Sequence, residues 1–101
     1  MAAGQEIAME TTQPLERRVI LAHKNGLHLT PITMLVQRTA DFQCDVRLSF
    51  DGKTASAKSA VELMLLGATE GAELVVQASG ADDAEAAIDC VASVLGDVSE
   101  D

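Results

Sequence analysis

The chain has 101 residues, 48% of them apolar, with two phenylalanines and neither tryptophan nor tyrosine. That is enough for one small domain whose core is built from aliphatic side chains. Sixteen acidic residues stand against seven basic ones, a formal net charge of -9. The cations are scattered, which argues against a nucleic-acid binder, because phosphate backbones are held by clustered Lys and Arg. The acidity is read as solubility.

Residues 1–14 are small and polar, without hydrophobic period, and read as a disordered tail. They hold no basic region followed by an apolar core, so they do not form a signal peptide. No apolar run approaches a membrane span. The expectation is therefore a cytoplasmic protein without membrane insertion. A single domain is expected over residues 15–97, with an acidic fray at 98–101.

Leu15 to Ala22 reads as a strand, solvated at its start and buried at its finish. Asn25-Gly26 is a turn signal that opens a loop carrying His28. Thr30 as N-cap and Pro31 in the first turn predict a helix over residues 31–40. Its inner face is Ile32, Leu35, Val36 and Thr39, with Gln37 and Arg38 turned out.

Cys44, Val46, Leu48 and Phe50 alternate with Asp45, Arg47 and Ser49, the pattern of a strand with one covered and one wet face. Asp51-Gly52 predicts a hairpin into a short polar strand, Lys53 to Ala57. Ser59 and Glu62 form a capping-box pattern that opens a helix ending at Gly67. After the Glu70-Gly71 turn, Glu73 to Ser79 reads as a strand. Asp82-Asp83-Ala84-Glu85 reads as a second capping box, opening a helix to about Leu95 with a stripe of Ala84, Ala87, Ile88, Val91, Ala92 and Leu95. The order β-α-β-β-α-β-α, with one-sided strands, predicts an α/β (α+β) two-layer sandwich with all helices on one face of the sheet.

His28 sits beside a helix start, where N–H groups lack intrahelical acceptors and an anion is favoured. An imidazole there suits phosphoryl acceptance, against the plainer reading of a loop histidine that caps or packs. His23 could share the site, although a solvated position at the strand end is the simpler reading. His23, His28, Cys44 and Cys90 share no recognised ligand spacing, so no metal is expected. Both cysteines fall in apolar patterns and read as buried reduced thiols.

Three stretches in this order resemble the histidine-containing phosphocarrier (HPr) family of the bacterial sugar phosphotransferase system. They are Asn25-Gly26-Leu27-His28 followed by Pro31; Asp51-Gly52-Lys53 with Ala55-Ser56-Ala57-Lys58-Ser59; and Leu66-Gly67-Ala68 with Gly71. The resemblance runs from Val19 to Leu95. It implies an open-faced sandwich, a four-stranded antiparallel sheet with three helices on one face.

It also implies that His28 becomes the phosphohistidine, charged by a phosphoenolpyruvate-dependent, enzyme I-type protein kinase and discharged to an enzyme IIA-type acceptor. This is a covalent relay rather than a turnover enzyme, and no cofactor is implied. Leu29, Thr33, Ala60 and Val61 stand where partners would dock. Some members are phosphorylated by an HPr kinase on a serine matching Ser59, although the capping box by itself accounts for this serine.

The chain departs from the family pattern where an active-site arginine is usual. Thr30 stands there, able to offer a hydroxyl to the phosphoryl group but no charge. Gln37 and Glu62 replace lysines common in the family, which makes the docking surface less basic. Two alternatives follow. One is a regulatory protein-interaction domain that keeps the fold and has lost efficient phosphotransfer. The other is a ferredoxin-like ligand-binding or metallochaperone module, disfavoured by the missing cysteine pair and by the loop motif.

Overall fold

The computed structural model describes residues 15–96. The expected tail at 1–14, residue 97 and the expected fray at 98–101 lie outside the described residues. The elements are β1 (Leu15–Ile20), α1 (Leu29–Thr39), β2 (Asp45–Phe50), β3 (Lys53–Ser56), α2 (Ala60–Leu66), β4 (Glu73–Ser79) and α3 (Ala84–Gly96). The sheet order is β1-β4-β2-β3, and every pairing is antiparallel. This is the open sandwich that the one-sided strands predict.

Local chemistry explains the hairpin. Phe50 pairs with Lys53, so Asp51 and Gly52 alone span the turn, at φ 52° and 79°. Positive φ at both positions gives a backbone twist that matches the flanking strands, and Asp-Gly tolerates it. On β2, Val46 and Leu48 are fully buried, and so are Leu74 and Val76 across the ladder on β4. Each leucine so buried contributes roughly 1.5–3 kcal/mol. α3 packs on β1, β4 and α1, while α2 packs on β3 and α1.

Three expectations are corrected: the end of β1, the buried stripe of α3 and the burial of Cys90. β1 ends at Ile20, which is exposed, and full burial starts only at Leu21 beyond it. The strand lies at the sheet edge, and Leu21 instead exchanges backbone bonds with the loop before β4, through Ala72 O (2.9 Å) and Gly71 N (2.8 Å). On α3 the buried stripe includes Val94, and Ala92 is only half-buried. Of the two cysteines, Cys44 is buried and Cys90 half-buried, and both are free thiols.

Neither capping box closes on itself. Ser59 Oγ accepts from the Glu62 amide at 3.2 Å, as expected, but the Glu62 carboxylate accepts from the Ser56 amide at 2.8 Å. Ser59 N instead donates to Ser56 O, which bends the chain and presents the Ser56 amide to Glu62. The Asp83 carboxylate reaches across the fold to the amides of Gln43 (2.7 Å) and Cys44 (3.1 Å). It anchors the α1–β2 connection to the start of α3.

Candidate functional site

The loop before α1 is held at several points. A turn brings Gly26 N to His23 O (2.9 Å), and Leu27 N donates to Ala68 O (3.0 Å). Gly26 has φ +72°, and a Cβ there would lie 2.6 Å from Ala68 O and 2.9 Å from Thr69 Cα. Only glycine allows this loop to approach the α2–β4 connection so closely. Leu27 is buried in the core beside it. The backbone leading into His28 is therefore fixed by contacts distant in sequence.

α1 starts earlier than its sequence suggests. The N-cap is His28, in extended conformation (φ -102°, ψ -167°), rather than Thr30. Thr30 and Pro31 are the second and third helical residues. Proline is tolerated there because the amide it lacks would have no intrahelical acceptor. The shift has a chemical consequence. Of the first four amides, His28 N donates to Gly26 O at 3.0 Å and Pro31 has none, so Leu29 and Thr30 keep N–H groups with no intrahelical acceptor. The first bond along the helix is Ile32 N to His28 O, at 3.0 Å. The His28 side chain makes no capping bond, and its Nε2 is shielded from solvent.

His23 is not solvated, as the sequence suggested, but fully buried. Its Nε2 lies 2.6 Å from the carbonyl oxygen of Val94, in the last turn of α3. A carbonyl only accepts, so Nε2 carries the proton. The neighbouring Leu95 carbonyl accepts from Ala22 N at 3.0 Å. Two of the carbonyls that any helix leaves open at its C-terminus are thus satisfied by the segment following β1. The His23 ring stands edge-on to His28, with centroids 6.3 Å apart and planes at 74°.

The other expected residues are placed as follows. Leu29, Thr30 and Thr33 are exposed on α1, and Ala60 and Val61 are exposed on α2. Ser59 is the half-buried N-cap of α2. Met64 and Leu65 are also exposed, which the sequence pattern did not single out. A signal was present: Leu63-Met64-Leu65-Leu66 is a run of four apolar residues, and a helix cannot turn all four inward. Gln37 and Glu62 are exposed as well.

Asp83, Cys44 and Arg47 titrate away from their ordinary values, Arg47 being raised by its hydrogen bond to the Asp45 carboxylate. Backbone hydrogen bonds, above all from Gln43, hold the Asp83 carboxyl below the usual range. Burial, followed by the hydrogen bond to Asp83, pushes the Cys44 thiol up. Among the described residues, no three His, Cys, Asp or Glu side chains come together as a metal site. No helix among them is long and apolar enough to cross a membrane.

Comparison with known proteins agrees with this geometry. A family model described as the PTS HPr component phosphorylation site matches residues 15–97. The phosphocarrier protein HPr from Bacillus anthracis is 33% identical, with TM-score 0.76, over 81% of this chain and 96% of that one. HPr from Thermoanaerobacter tengcongensis is 31% identical, with TM-score 0.75, over 80% of this chain and 90% of that one. Crh, the catabolite repression protein of Bacillus subtilis, is 36% identical, with TM-score 0.65, over 71% of this chain and 82% of that one. With the open sandwich, the glycine-clamped loop and the histidine at the start of α1, these matches establish that the chain belongs to the HPr family of the phosphotransferase system.

Proposed function

We propose that the chain is a phosphocarrier in which His28 takes a phosphoryl group from a phosphoenolpyruvate-dependent, enzyme I-type donor and passes it to an enzyme IIA-type acceptor. One observation carries the reading: His28 is the N-cap of α1, its side chain is not spent on capping, and the next two amides lack intrahelical acceptors. With Nε2 shielded, Nδ1 is the attacking nitrogen. Its lone pair forms the P–N bond as the donor's bond to phosphorus breaks, that electron pair leaves with the donor, and Nε2 keeps its proton. The amides of Leu29 and Thr30 and the Thr30 hydroxyl receive the phosphoryl oxygens. Charge at a helix N-terminus is worth roughly 0.3–1 kcal/mol when exposed.

Leu29, Thr33, Ala60 and Val61 serve as docking residues in this reading. With Gln37 and Glu62 where lysines are usual, an acidic partner surface is held less tightly. A cytoplasmic location and a place in sugar uptake go with the reading. The test is incubation with phosphoenolpyruvate and an enzyme I-type donor, followed by intact-mass measurement. One acid-labile phosphoryl group is expected on the wild type and none on His28→Ala. An unlabelled wild type, or full labelling of the variant, sinks the proposal.

A second reading is favoured by the uncharged Thr30 and by the similarity to Crh, a protein named for catabolite repression. In it the fold serves a regulatory contact, phosphotransfer through His28 is inefficient, and an HPr kinase acts on Ser59. Acid-stable phosphorylation of Ser59 by such a kinase, without labelling of His28, would select this reading.

A further inference from the structure

The buried His23 has no part in the phosphocarrier chemistry described so far. Its anchor to Val94 O accounts for its burial: the end of α3 is covered by the segment after β1, and an open helix carbonyl buried there needs a donor. The anchor does not account for an aromatic ring. The amide of a glutamine could supply the same donor at a similar reach. The ring also stands edge-on to that of His28, with centroids 6.3 Å apart. Aromatic rings prefer such an arrangement, because the positive edge of one meets the face of the other.

We propose that His23 is a positioning residue for His28. Burial holds the His23 ring in place, and the edge-on contact limits the rotation of the His28 ring about its own side-chain bonds. A group that must attack phosphorus in line benefits directly, since small misplacements of a reacting atom lower rates strongly. The inference rests on the reading of His28 as the phosphoryl acceptor. Its first readout is nevertheless taken on unphosphorylated protein.

Two substitutions separate positioning from capping. His23→Gln keeps a donor for Val94 O and removes the ring. His23→Phe keeps an aromatic edge and removes the donor. Relaxation of the His28 ring carbon signals reports the order of that ring, and steady-state phosphoryl transfer from an enzyme I-type donor, with this chain as its substrate, reports the chemistry. Under the proposal, His23→Gln unfolds near the wild-type midpoint, yet its His28 ring loses order. The donor's kcat with this variant falls roughly tenfold or more, with KM for the variant unchanged because the exposed docking residues are untouched. His23→Phe loses stability and holds the wild-type order of the His28 ring. Wild-type order and kcat in His23→Gln would overturn the proposal. Should that variant fail to fold, loss of His28 ring order in His23→Phe overturns it and wild-type order supports it. Absence of labelling in the wild type counts against the phosphocarrier reading alone, while the ring relaxation decides the positioning role separately.

Discussion

The backbone at Gly26 approaches the carbonyl of Ala68 so closely that a Cβ would stand 2.6 Å from its oxygen. The same carbonyl accepts from Leu27 N at 3.0 Å, so the close approach is also the bond that seats the loop. Gly26→Ala meets both a left-handed φ and a backbone clash. A loss of about 2 kcal/mol or more is expected, read as a lower urea midpoint. Phosphoryl acceptance should fall with it, because the displaced loop carries His28.

Thr30 is exposed on the first turn of α1 and carries no charge. An arginine there could fork onto phosphoryl oxygens with charge-assisted bonds. Thr30→Arg should raise the rate of phosphoryl acceptance on the order of tenfold, the equivalent of about 1.4 kcal/mol. Stability should change by less than about 0.5 kcal/mol, as for an exposed position. Rapid-quench labelling measures the first and denaturant unfolding the second. An unchanged rate would mean that the partner supplies the charge.

Ser59 caps α2 through the Glu62 amide. Ser59→Ala leaves that amide without its acceptor and should cost about 1 kcal/mol. Ser59→Asp, which keeps a capping oxygen, should stay closer to the wild type in the same melts. A cost shared equally by both variants would show that the hydroxyl has a role other than capping.

Asp83 gives the fold a defined response to acid. Its carboxyl titrates below the usual range because the amides of Gln43 and Cys44 favour the charged form. A lowered folded value means stabilisation that is complete above the unfolded value of about 3.9 and lost as pH falls through the folded one. Asp83→Asn should therefore be less stable than the wild type at neutral pH, and the gap should narrow as the pH drops below about 4. Thermal melts across that range check the sign. A gap that widens in acid would contradict it.

The turn, cap and alternation signals placed most elements close to where they stand. Asp51-Gly52 marked its hairpin, and Glu73–Ser79 has the expected bounds. The start of α1 was missed because Thr30-Pro31 offers a plausible local N-cap, whereas the structure chooses His28 once Gly26 is seated on Ala68. Asp83 and Glu62 looked like helix-capping residues for the same local reason. Their carboxylates instead bond to amides that folding brings near, those of Gln43, Cys44 and Ser56. The histidine at the centre of the candidate site was legible from its motif. The buried neighbour beside it was not.

By itself, the sequence determined what depends on neighbours along the chain: strand alternation, the Asp-Gly turn, the left-handed cap at Gly67, and a histidine just ahead of a helix. These follow from backbone sterics and side-chain period, which act over a few residues. Only the tertiary structure decided that His23 is buried, that its Nε2 bonds the Val94 carbonyl, and that its ring meets His28. Those facts arise when α3 docks against β1, β4 and α1, because an open helix carbonyl in a dry interface must find a donor. No spacing within the chain encodes that need.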